Sequence, residues 1–166
     1  MSYTVSFYSI NINKLRNTIE EKNLSILDES DLDDENRKYA ETLITGTEPD
    51  LDDIPSEYGY TLEKIVKHLF GGSENVPEFE DLRFGEFNDP PLDWIIKSGS
   101  PVKLPPNDNF PYIGHRTIAE MQKTLDDWND EQYDDFVPEA QEIIEALLNV
   151  FQRAVEQKKD LITFYY

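Results

Sequence analysis

The sequence contains no cysteine, which removes thiol catalysis, thiolate metal sites and disulfide bonds together. Basic side chains are scarce: 15 Lys and Arg stand against 35 Asp and Glu, a formal net charge of -20. Contact with a nucleic-acid backbone or an anionic membrane needs clustered Lys and Arg, so direct binding to either is disfavoured. No apolar run approaches the roughly 20 residues that a membrane span requires. The segment Met1-Ser2-Tyr3-Thr4-Val5 has no basic stretch leading into an apolar run. No signal peptide is therefore expected, and a cytoplasmic location is the economical expectation.

Catalytic motifs are equally sparse. The two histidines, His68 and His115, lie 47 positions apart and do not form an H-E-x-x-H pair. There is no G-x-S-x-G elbow, no G-x-G-x-x-G and no G-x-x-x-x-G-K-[ST]. Gly71-Gly72-Ser73 reads as a helix stop rather than a phosphate cradle. His68 reads as a helix-flank residue. His115, just before Thr117, lies near the expected start of a helix, where anions are favoured, but a structural role outweighs that reading. Asp50-Leu51-Asp52-Asp53 and Asp126-Asp127-Trp128-Asn129-Asp130 resemble fragments of a calcium loop. Neither has the glycine and glutamate that such a loop places after its acidic start. No catalytic, cofactor-binding or metal-ligating residue is assigned. Paired carboxylates for glycoside hydrolysis stay open, because separation in space is invisible in a sequence.

What is present points to an ordered chain. Its 166 residues suit one domain, able to bury roughly 70% of the unfolded surface. An aromatic share of 12% argues against wholesale disorder. Tyr3, Val5 and Phe7 alternate with Thr4 and Ser6, a strand pattern. Ile12, Leu15 and Ile19 follow at helical spacing, with Asn11 or Asn13 as cap. A helix is predicted over about 31–45, closed by Gly46 in the left-handed conformation. Leu62, Ile65, Val66 and Leu69 predict a helix over 61–70, capped by Thr61.

Trp94-Ile95-Ile96 and Val102-Lys103-Leu104 read as short strands joined by a turn at Ser98-Gly99-Ser100. Thr117 and Glu120 match a capping box for a helix over 117–128. The strongest apolar stripe, Ala140 to Val155, predicts a long helix over 138–158, followed by a strand at Leu161 to Tyr166. The expected fold is α+β: a small sheet containing both terminal strands, packed against several helices including the long C-terminal one.

Several of these segments carry a resemblance. A short N-terminal strand runs into a helix. The acidic middle holds Tyr58-Gly59-Tyr60, and Phe110-Pro111-Tyr112-Ile113-Gly114 precedes a capped helix. The long helix ends in Glu156-Gln157-Lys158-Lys159-Asp160-Leu161, before a strand rich in Phe and Tyr. This layout resembles the bacterial YfbM-like proteins of unknown function, and more closely a related uncharacterised family with the same ends. The resemblance implies a small cytoplasmic α+β domain with no accepted reaction. For some relatives it implies an immunity role in bacterial toxin systems.

The surplus negative charge is the feature left to explain, since like charges repel and oppose folding. Residues 28–57 hold twelve acidic side chains and only Arg37 and Lys38 as bases. Residues 74–93 hold seven against Arg83, and 126–139 hold seven with no base. Aromatic residues interrupt all three stretches, and ring anchors inside a charged rim are what protein interfaces use. The candidate binding residues are Tyr39, Tyr58, Tyr60, Asp126, Asp127, Trp128, Asp130, Tyr133, Asp134 and Asp135. The expected partner is a basic protein, steered in by the carboxylates, and the chain itself is expected to be a monomer or weak dimer. The leading expectation is an acidic binding protein of the immunity type, blocking a basic bacterial toxin. A nucleic-acid mimic with carboxylates spaced like phosphates is the first alternative. An enzyme or small-molecule binder of unfamiliar type is the second, and it would need a deep pocket lined by His115, Arg116 or the tyrosines.

Overall fold

A computed structural model describes residues 5–22, 24–28, 32–71, 94–96, 98–128 and 138–166. Strand β1 (Val5–Ile10) leads into α1 (Ile12–Glu20), the short α2 (Ser25–Asp28), α3 (Asp34–Thr45) and α4 (Pro55–Phe70). Strand β2 (Tyr112–Arg116) then precedes α5 (Ile118–Asp127), α6 (Pro138–Glu156) and β3 (Asp160–Tyr165). The three strands form one antiparallel sheet in the order β1-β3-β2. The terminal strands pair directly, from Val5 opposite Tyr165 to Ile10 opposite Asp160. β2 takes the other edge of β3, with Gly114 opposite Thr163.

Because strand side chains alternate, the sheet buries both faces. Tyr8, Ile10, Ile162 and Phe164 point to one side, into a core with Leu15, Leu43, Leu62 and Val66 from α1, α3 and α4. Val5, Phe7, Leu161 and Tyr165 point to the other, against Met121, Ile144's neighbour Ile143, Leu147 and Phe151 of α5 and α6. A near-continuous apolar run such as Leu161-Ile162-Thr163-Phe164-Tyr165 is what a strand covered on both faces requires.

Local signals set most element ends. Asn11 caps α1 by accepting the Lys14 N–H at 2.9 Å. Gly46 ends α3 at φ 67, a conformation that favours glycine. Thr117 and Glu120 form the full capping box of α5.

Four expectations are corrected. α3 starts at Asp34 behind Asp33 as cap. α4 starts at Pro55 rather than Thr61, because Pro55 supplies a preorganised first turn; Thr61 is buried inside the helix and donates to Asn36 Oδ1 at 3.1 Å. Residues 94–96 form a helical turn, not a strand. That turn crosses the sheet against Gly114, where a Cβ would lie 1.9 Å from the Ile95 carbonyl oxygen. The same carbonyl accepts the buried Thr163 hydroxyl at 2.7 Å. Residues 102–104 also form no strand. Pro101, Pro105 and Pro106 flank them and cannot donate to a ladder. The third strand lies instead at Tyr112–Arg116, within the segment that precedes the Thr117 cap.

Candidate functional site

Among the described residues, the acidic loop between α3 and α4 is held by a dense set of side-chain contacts. Gly46 turns the chain out of α3, and Asp50 to Asp53 forms a tight turn closed by the Asp53 N–H donating to the Asp50 carbonyl at 3.1 Å. The Asp53 carboxylate organises this turn. Oδ2 accepts the Asp50 N–H at 2.9 Å and the Tyr58 hydroxyl at 2.6 Å, while Oδ1 accepts Lys38 Nζ at 2.6 Å. Lys38 also reaches Asp50 at 3.3 Å. Beneath the turn, the Ile54 N–H donates to the Tyr39 hydroxyl at 3.4 Å. The Tyr39 and Tyr58 rings meet edge to face at 4.9 Å.

These contacts fix the charge states. The Lys38 ammonium, and then the Tyr58 hydroxyl, hold Asp53 below the usual carboxylate range. Burial, helped by the hydrogen bond to Asp53, pushes Tyr58 up to about 12, so the phenol stays protonated. Asp53 and Asp50 raise Lys38 in turn. The Asp53 side chain is only 3% exposed, so its oxygens are committed to the brace. What the brace presents is Leu51, fully exposed at the tip, between exposed Asp50 and Asp52. Ile54 is 53% exposed at the base, and Glu48 is exposed on the approach.

The sequence-predicted binding residues separate. Tyr39 and Tyr58 are core residues, 5% and 1% exposed. As ring anchors for a partner they are corrected to internal supports of the loop. The reason is amphipathicity: each lies on the inward stripe of its helix, α3 or α4. Tyr60, two positions on, is half-buried and stacks on Tyr166 at 5.6 Å. Asp126, Asp127 and Trp128 lie at the end of α5, on the opposite side of the sheet from α3 and α4. Asp127 pairs with Lys123, and Asp126 accepts from Gln122 at 2.8 Å. Trp128 is half-buried and meets Trp94 edge to face at 5.5 Å. Asp130, Tyr133, Asp134 and Asp135 lie outside the described residues.

The chain belongs to the DUF7691 family. That family's model, a domain of unknown function, matches residues 1–166. No curated protein and no solved structure matches the chain.

In this DUF7691 chain no three His, Asp or Glu side chains converge as a metal site would need, among the described residues. No helix among them is long and apolar enough to cross a membrane. His68 is exposed on α4, and His115 Nδ1 lies 2.8 Å from the Gly99 carbonyl oxygen. A cleft of about 600 Å³ opens between α1, the end of α3 and the 101–106 segment. Tyr58 lines it; His115 and Arg116 do not. The sequence reading missed Leu51, and also Glu63, whose carboxylate accepts the Tyr8 hydroxyl at 2.6 Å. Leu51 did carry a signal, an aliphatic residue inside Asp50-Leu51-Asp52-Asp53. The Tyr8–Glu63 pair spans 55 positions and carried none.

Proposed function

We propose that this protein acts by binding a basic protein through its acidic loop, with Leu51 as the apolar anchor and the surrounding carboxylates as the rim. The observation that carries the reading is the full exposure of Leu51 on a turn held rigidly by Asp53, Lys38 and Tyr58. An anchor on a preordered loop loses little conformational freedom on binding. Asp50, Asp52 and Glu48 would raise the rate of encounter with a cationic surface and disfavour acidic partners. The net charge of -20 acts in the same direction at longer range. The resemblance to YfbM-like proteins narrows the proposal to an immunity-type inhibitor that covers a basic bacterial toxin. An aliphatic tip favours this over nucleic-acid mimicry, since a phosphate backbone presents no such group.

The test is affinity capture at low ionic strength from the native host, comparing the natural chain with L51S and with the D50N/D52N double variant. A basic protein should be retained by the natural chain, released as salt rises, and lost with L51S. D50N/D52N should slow association more than it speeds dissociation. Retention of the same proteins by L51S removes the anchor reading. Displacement of the captured protein by heparin without any effect of L51S would instead favour the nucleic-acid mimic.

A further inference from the structure

The cleft of about 600 Å³ lies within the size range of small-molecule sites. Ile19, Val102 and Leu104, all half-buried, give it an apolar interior together with Leu43. The prolines of the 101–106 segment stiffen one wall. Its charge runs against that of the molecule. Arg16, Lys22 and Lys103 border the cleft against only Glu20 and Glu48, in a chain whose acids outnumber its bases 35 to 15. Arg16 is half-buried, and its Nε donates to the Pro101 carbonyl at 2.8 Å, which fixes the guanidinium at the cleft wall. Among the described residues, none of these three cations is in an ion pair. Lys22, at φ 53, turns the chain where α1 ends and stays exposed.

An apolar trough with a cationic edge matches one ligand chemistry. The geometry points to a binding site for a small amphiphilic carboxylate, its aliphatic body along Ile19, Leu43 and Leu104 and its head at Arg16, Lys22 and Lys103. A planar guanidinium held by its Nε still offers its terminal N–H groups to a carboxylate. Lys22 and Lys103 add charge attraction from the rim. Neither histidine lines the cleft. Glu48 borders both this cleft and the partner-binding loop, but Leu51, the proposed anchor, lies outside the cleft, so L51S alters the tip and leaves the cleft lining unchanged.

The probe is decanoate, titrated into the full chain by calorimetry and by amide and methyl NMR shifts. Decanol and decyltrimethylammonium serve as neutral and cationic controls. Saturable decanoate binding should shift Ile19, Leu43 and Leu104. It should weaken about fourfold for each methylene removed from the chain. The K22Q/K103Q double variant, altered only at exposed positions, should weaken decanoate at least about threefold by loss of rim charge and leave decanol unchanged. L51S should have no effect, so failure here is distinguishable from failure of partner binding. The proposal is overturned if decanoate binds no better than decyltrimethylammonium, if the shifts fall away from the cleft, or if no saturable binding occurs.

Discussion

Asp160 accepts the backbone N–H of Ile118 through Oδ1 at 3.1 Å, across 42 positions of sequence. Its other oxygen accepts the N–H of Ile12 at 3.2 Å. Ile12 and Ile118 are the first residues of α1 and α5, so one carboxylate at the start of β3 serves the N-termini of two helices. Each helix has its own cap as well, Asn11 and Thr117, which take later N–H groups. Asp160 therefore fills the donors those caps leave, and its negative charge suits both helix dipoles.

Replacing Asp160 with Ala should strand two first-turn donors at once. The expected cost is about 1–3 kcal/mol, the range for losing charged acceptors at helix starts. D160N keeps one acceptor oxygen and should fall between the two. Urea unfolding midpoints check the order; equal midpoints for all three proteins would show that water replaces the carboxylate at no cost.

Two glycines should respond differently to Ala. At Gly114 a Cβ would meet backbone, with Ile95 oxygen at 1.9 Å and Ile96 Cα at 2.6 Å. The 94–96 turn must then move off the sheet, breaking its bond from Thr163, so G114A should cost about 3 kcal/mol or more. At Gly59 the nearest atom is Pro111 Cγ at 2.8 Å. There the helix gains about 1 kcal/mol of propensity from Ala, which offsets part of the clash. G59A should stay within about 1 kcal/mol of the natural chain by that offset. Thermal or urea unfolding that ranks G59A below G114A would contradict the geometry.

Glu63 gives stability a distinct pH dependence. Burial raises its pKa, against the opposing hydrogen bonds from Tyr8 and Ser6 and the charge of Lys67. A folded-state value above the unfolded one means that folding takes up a proton. The resulting stabilisation is complete below the ordinary Glu range and is lost as pH rises through the raised folded value. E63Q keeps an acceptor for Tyr8 and cannot ionise. Its stability relative to the natural chain should therefore improve from acid to neutral pH, as read from unfolding at a series of pH values. A constant difference would mean that Glu63 titrates normally.

Asp53 behaves in the opposite sense. Its lowered pKa means that the brace contributes fully above the ordinary Asp range and is lost as pH falls through the depressed folded value. Amide exchange at Asp53 and Ile54 should accelerate in D53N at neutral pH, after correction for intrinsic rates, while the sheet amides remain protected. L51S, at a fully exposed position, should change the unfolding free energy by less than about 0.5 kcal/mol. An accelerated loop in L51S, or an unchanged one in D53N, would reverse the assigned roles of tip and brace.

The chain alone determined the α+β class, the presence of both terminal strands in one sheet, the capping box at Thr117, the stop at Gly46 and the long stripe of α6. Each depends on neighbouring residues or on a short apolar period, which a linear pattern retains. Tertiary structure decided the rest, including the direct pairing of the terminal strands. Tyr39 and Tyr58 looked like surface rings because carboxylates surround them in sequence, but helical phase turns both inward and places them under the loop they support. Trp94-Ile95-Ile96 has strand composition, yet the open space above Gly114 and the Thr163 hydroxyl hold it as a helical turn. The carboxylates of Asp53, Glu63 and Asp160 are indistinguishable in the sequence from 32 others. Folding separates them, because only the donors brought within about 3 Å of an oxygen determine whether it braces a loop, accepts a buried tyrosine hydroxyl or caps two helices.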